Sequence, residues 1–142
     1  MPPHFASQPK PIRVLIVDDD DGYAGSLAAI LSGNPRLIVV GRATDGVHGI
    51  ERARALRPDV VVIDVNMPRL DGFAATQEIL SERPSTRVVI VSAEPEADHR
   101  IRAREAGADA YLPKSSDLRD LDLAVVGEPA AVGVPFLLAV AV

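Results

Sequence analysis

Residues 60–72 read VVVIDVNMPRLDG. Four β-branched apolar residues run straight into Asp64, and Met67-Pro68 followed by Asp71-Gly72 turns the chain just beyond it. A short apolar run without polar alternation is the pattern of a strand covered on both faces, so the carboxylate stands at the end of a buried strand. Four further runs, at 12–17, 37–40, 88–91 and 110–112, have the same character and are too short for helices. Between them, 22–31, 46–56, 72–82 and 97–106 carry helical spacing, and 118–126 follows the last strand as a fifth helix. Pro35 and Pro58 precede the second and third strands, while Pro84 and Gly107 stop the third and fourth helices. Strict alternation of strand and helix predicts an α/β fold, a parallel sheet with helices on both faces. In such sheets ligand chemistry gathers beyond the carboxyl ends of the strands, at a topological switch point.

Composition narrows the function classes. The chain has 142 residues, of which 47% are hydrophobic and 25% charged, as expected for one domain with a real core. Cysteine is absent, which removes disulfide scaffolds and thiolate metal sites and is compatible with a reducing cytoplasm. A net charge of -5, with no Lys or Arg after Arg119, argues against direct nucleic-acid binding. Residues 1–11, MPPHFASQPKP, lack the apolar core of a signal peptide and read as a short disordered leader.

The strand ends supply Asp18 to Asp21 after the first strand, Asp64 after the third, Ser92 after the fourth and Lys114 after the fifth. Carboxylates about 4 Å apart repel by roughly 4 kcal/mol at an effective dielectric near 20, so such a cluster calls for a cation or raised pKa values. Magnesium fits, because it takes oxygen ligands, keeps several waters and needs only one or two carboxylates beside a substrate phosphate. With charge neutralised by the ion, Lys114 and a hydroxyl donor at Ser92, Asp64 is a competent nucleophile towards phosphorus.

The segments VLIVDDD (14–20), VVIDVNMPRLDG (61–72), VIVSAE (89–94) and AGADAYLPK (106–114), in this order, resemble the signature segments of the response-regulator receiver domain of two-component signalling. The resemblance covers residues 12–126 and implies a flavodoxin-like (βα)5 doubly wound sheet in the order 2-1-3-4-5. It also implies roles. Asp64 matches the phosphoacceptor, phosphorylated by a sensor histidine kinase. Asp18 and Asp19 match the acidic pair that holds magnesium, with Asp19 the more direct ligand and the backbone carbonyl of Asn66 a further one. Ser92 and Lys114 match the hydroxyl and amine that stabilise the phosphoryl group. Tyr111 matches the switch aromatic that turns inward with Ser92, altering the face built from the fourth helix, fifth strand and fifth helix, through which receivers also dimerise. The side chains of Asn66 and Glu94 match positions that tune phosphoryl lifetime.

Other residues have plainer readings. Asp20 or Asp21 caps the first helix, Asp71-Gly72 is a turn and cap, and His4, His48 and His99 are surface residues without metal-ligand spacing. The segment around AYLPKSSDL is closer to receivers of transcription factors, yet only 28 residues follow Lys114, too few for a fifth helix and a helix-turn-helix module. Gly127 and Pro129 should end the fifth helix near Val126, leaving 127–142 as an atypical apolar tail, too short to span a membrane and suited to self-association. Two other function classes compete: a pseudo-receiver scaffold, and a phosphatase of the haloacid-dehalogenase type. The latter's nucleophile sits in a DxD pattern on its first motif strand, whereas Asp64 follows the third strand and residue 66 is asparagine.

Overall fold

A computed structural model of the chain describes residues 10–127 apart from Pro95. The leader, up to residue 9, and the tail from residue 128 onward lie outside the described residues. Five strands, β1 (Ile12–Val17), β2 (Leu37–Ala43), β3 (Val60–Asp64), β4 (Arg87–Ser92) and β5 (Ala110–Pro113), alternate with α1 (Asp21–Ser32), α2 (Gly46–Leu56), α3 (Gly72–Glu82), α4 (His99–Ala106) and α5 (Leu118–Val126). All neighbouring strands are parallel, in the order β2-β1-β3-β4-β5. This is the flavodoxin-like arrangement expected from the sequence.

The uninterrupted apolar runs are explained by the two cores they feed. Successive side chains of a strand point to opposite faces. Accordingly Leu15, Val17, Val61 and Ile63 pack with Ile50, Phe73, Ile79 and Ala103 of α2, α3 and α4. Their neighbours Val14, Ile16, Val60 and Val62 pack with Leu27, Leu31, Leu121 and Val125 of α1 and α5. Each fully buried Val, Leu or Ile contributes on the order of 1.5–3 kcal/mol, and a one-residue register slip would exchange the two faces.

Two boundaries differ from the sequence reading by more than one residue. β2 continues through Gly41 to Ala43 because the β1–β2 register shifts between Val14 and Leu15, which lets the edge strand pass a bulge and keep pairing. α4 starts at His99 rather than Ala97, and its N-cap Asp98 makes no side-chain cap bond. Elsewhere aspartates do cap: Asp20 accepts from the Tyr23 N–H at 3.1 Å, Asp45 from His48 at 2.7 Å and Asp71 from Ala74 at 2.8 Å.

The turn after β3 is held by close backbone approaches. The Gly72 N–H donates to the Val65 carbonyl at 2.9 Å, and a Cβ on Gly72 would fall 2.1 Å from the carbonyl oxygen of Asp64. A Cβ on Gly46 would fall 2.3 Å from the Leu70 carbonyl oxygen in the same turn. Arg69 takes a left-handed conformation, φ 72°, at the turn's tip. These contacts fold the chain back and leave the end of β3 clear.

Candidate phosphoacceptor site

Sheet register assembles the site. Val17 pairs with Ile63, so Asp18 and Asp64 emerge side by side from the two central strands. Both are almost fully buried, at 3% and 4% exposure, whereas Asp19 is exposed. Asp18 Oδ1 accepts from the Asp20 N–H at 2.8 Å, which fixes its carboxylate at the entrance to α1. Oxygens of Asp18, Asp19 and Asp64 lie within 4.8 Å of one another.

Lys114 closes the cluster from β5. Its backbone N–H donates to the Ser92 carbonyl at 2.7 Å, tying the ends of β4 and β5 together. Its Nζ reaches 2.8 Å from Asp18 Oδ2 and 3.5 Å from Asp64 Oδ2, with the Tyr23 ring centroid 4.7 Å away. Three carboxylates against one ammonium leave the cluster negative. The Asp64 pKa is accordingly pushed up from 3.8 to about 6, first by burial, then by the Asp18 charge, with Lys114 acting against both.

The donor set fits a hard divalent cation. Oxygens at 4.8 Å repel by about 3 kcal/mol per charged pair at an effective dielectric near 20, and the exposed Asp19 leaves room for ion-bound waters. Ser92 is fully buried at the end of β4, and its Oγ makes no hydrogen bond of good geometry, though it lies beside the Tyr111 hydroxyl and works against the rise that burial gives that phenol's pKa. A buried hydroxyl without a well-placed partner costs on the order of 1–3 kcal/mol, which a ligand accepting its proton would remove.

The structure thus gathers Asp18, Asp19, Asp64, Ser92 and Lys114 at one edge. Asn66 and Glu94 stand on the exposed loops beside it. Asp20 supplies the α1 cap, and Asp71 the α3 cap.

Tyr111 is 2% exposed, its ring against that of His99 in α4. One reading needs correction. His99 is not a surface residue: it is 4% exposed, because the chain enters α4 beneath α3 and turns the imidazole inward against Phe73 and Tyr111. His99 also lies with Glu96 and Asp98, so three potential metal-ligating groups come together that sequence spacing did not pair. His48 is partly buried, and His4 lies outside the described residues.

Comparison with known proteins gives a consistent result. Residues 14–126 match the family model described as the response regulator receiver domain. A protein-glutamate methylesterase/protein-glutamine glutaminase of Symbiobacterium thermophilum is 41% identical over 117 residues, covering 82% of this chain and 32% of the relative. The chain therefore spans about a third of the length of such curated relatives. Among solved structures, the signal receiver domain of NarL from Mycobacterium tuberculosis superposes with a TM-score of 0.80 at 32% identity, covering 84% of this chain and 96% of that one. The response regulator domain of Thermotoga maritima CheB gives 0.73 at 34% identity, covering 83% and 92%.

Proposed function

The chain belongs to the response regulator receiver domain family, and on that premise we propose that it is a phosphoacceptor switch, phosphorylated on Asp64 by a partner histidine kinase. The observation that carries this reading is the convergence of Asp18, Asp19, Asp64 and Lys114 at the carboxyl edge of β1, β3 and β5, with a Ser92 hydroxyl lacking a well-placed partner at the end of β4.

A carboxylate oxygen of Asp64 attacks the phosphorus of a phosphohistidine, the P–N bond breaks, and the imidazole nitrogen leaves with its electron pair. The residues that would hold magnesium are Asp18, Asp19 and Asp64 with the Asn66 carbonyl; the ion would neutralise the cluster and the transferring oxygens. Lys114, released from part of its pairing with Asp64, turns its ammonium to a phosphoryl oxygen, and Ser92 donates its O–H to another. Burial of Asp64 restricts water at the acyl phosphate, and the exposed side chains of Asn66 and Glu94 set how readily water reaches it.

The phosphoryl group then favours the state in which Ser92 and Tyr111 are drawn inward, changing the face of α4, β5 and α5. The shift is limited by how differently the two states bind the phosphoryl group. The chain turns over no external substrate; its chemistry is its own phosphotransfer and autodephosphorylation. Its partners are a sensor histidine kinase and, through the α4-β5-α5 face or the C-terminal tail, a second copy. Among the described residues no helix is long and apolar enough to cross a membrane; with a cysteine-free, acidic sequence, a cytoplasmic location is proposed.

Intact-mass measurement after acetyl phosphate and magnesium tests the reading. One phosphoryl adduct, absent in Asp64→Asn, is the expected result. Turnover of acetyl phosphate without a lasting adduct would instead indicate a phosphatase, and no reaction at all a scaffold.

A further inference from the structure

His99 is a buried titratable side chain that the phosphotransfer chemistry does not use. It sits at the first position of α4, between residues of three other segments. The Phe73 ring of α3 meets it edge to face at 5.5 Å, and the Arg102 guanidinium covers that phenyl ring at 4.3 Å. The Tyr111 ring of β5 meets it edge to face at 6.2 Å. Glu96, on the loop before α4, touches it twice, with its backbone N–H and with its carboxylate.

The hydrogen bonds assign the ring's proton. The Glu96 N–H points at Nδ1 at 3.4 Å, and a backbone N–H can only donate, so Nδ1 is the acceptor. In a neutral imidazole the proton then rides on Nε2, which faces Glu96 Oε2 at 3.7 Å. In that tautomer the Tyr111 hydroxyl, 3.4 Å from the same Nδ1 and also beside Ser92, shares the Nδ1 lone pair as a donor. The phenol and the imidazole are both nearly excluded from water, so each would lose its partner if Tyr111 swung out.

We propose that His99 is a positioning residue that accepts the Tyr111 O–H and holds this aromatic inward whether or not Asp64 carries a phosphoryl group. The proposal rests on the reading of Tyr111 as the switch aromatic and deepens it. Held by this contact, the inward position would not wait for the modification: the Arg102, Phe73, His99 and Tyr111 stack bridges α3, α4 and β5 through contacts that involve no group on Asp64. Phosphorylation then acts chiefly through Ser92 and Lys114 on a β5 face that is already set. The partner-binding face is correspondingly less dependent on the phosphoryl group than it would be with Tyr111 free to rotate.

Fluorine NMR of the full chain labelled with 3-fluorotyrosine tests this. The chain has two tyrosines, so Tyr23→Phe leaves the Tyr111 signal alone. Broadening by a soluble gadolinium chelate reports exposure, before and after magnesium and beryllofluoride, whose own bound fluorine signal reports occupancy at Asp64. Expected are weak broadening of Tyr111 in both states of this background and several-fold stronger broadening in His99→Leu before beryllofluoride, falling after it. His99→Asn, which keeps an acceptor near Nδ1, should lie closer to the unsubstituted protein than His99→Leu does. Strong broadening in the unsubstituted background before activation, or equal protection in His99→Leu, would overturn the proposal. Absence of a bound beryllofluoride signal would count against the phosphoacceptor reading, while the comparison made before its addition still decides the role of His99. Should His99→Leu fail to fold, Tyr111→Phe supplies the same decision: it should move the His99 Nδ1 nitrogen resonance and leave those of His4 and His48 in place, and an unmoved resonance refutes the contact.

Discussion

Removing the charge from Asp64 should make the metal-free protein more stable. Folding raises the pKa of this carboxyl from 3.8 to about 6. A shift of about two units corresponds to about 3 kcal/mol of disfavoured ionisation above pH 6. The sign follows from proton uptake. Between these two values the folded chain binds more protons at Asp64 than the unfolded chain does, so stability falls as pH rises through this window. Below it, Asp64 is protonated in both states and the penalty vanishes. Asp64→Asn keeps the shape and leaves Lys114 on its nearer partner, Asp18 at 2.8 Å. Allowing for an imperfectly paired amide, a gain of about 2 kcal/mol is expected near pH 7.5, or about 8 °C in Tm, declining towards zero near pH 4. Saturating magnesium should narrow the gap by stabilising the unsubstituted protein through binding. Chemical denaturation across this pH range, with and without magnesium, measures all three quantities. An Asn variant no more stable than its parent near neutrality, or a gain that persists undiminished in acid, would refute the electrostatic account.

Three further substitutions separate chemistry from support. Ser92→Ala should slow phosphorylation by acetyl phosphate about a hundredfold, as loss of one aimed donor does, yet hold or raise the denaturation midpoint, because the hydroxyl it removes is buried without a well-placed partner. Lys114→Met should destabilise by about 3 kcal/mol near neutrality, with recovery on acidification or magnesium addition, and raise the Asp64 pKa further, measurable by carboxyl-carbon NMR. Asp71→Ala should cost about 1 kcal/mol in denaturation through loss of the Ala74 cap while the phosphoryl adduct still forms in full.

What sequence made visible, and what it hid, follows from where each signal is local. The five strands were legible because each apolar run is continuous, and the acidic cluster because Asp18 and Asp64 directly follow such runs. The extension of β2 was not, since it depends on a bulge formed with another strand. The burial of His99 was hidden more thoroughly. HRIRAREA is strongly polar, and the imidazole is covered only because α3 and β5 supply Phe73 and Tyr111 from far along the chain. An aromatic-sized residue seven positions after Ser92 and twelve before Tyr111 was the one available hint.

The close approach of Gly72 to the Asp64 carbonyl bears on how a mutational survey of this protein should be interpreted. A Cβ at Gly72 would sit 2.1 Å from that oxygen, and one at Gly46 would sit 2.3 Å from the Leu70 oxygen, both backbone atoms that cannot step aside as a flexible side chain would. In a scan scored by signalling output, these two glycines should tolerate substitution as poorly as Asp64 itself and so would be ranked beside it as functional. Scored by cellular abundance the groups part: the glycines should deplete the protein, whereas substitution of Asp64 by Asn should preserve or raise its level.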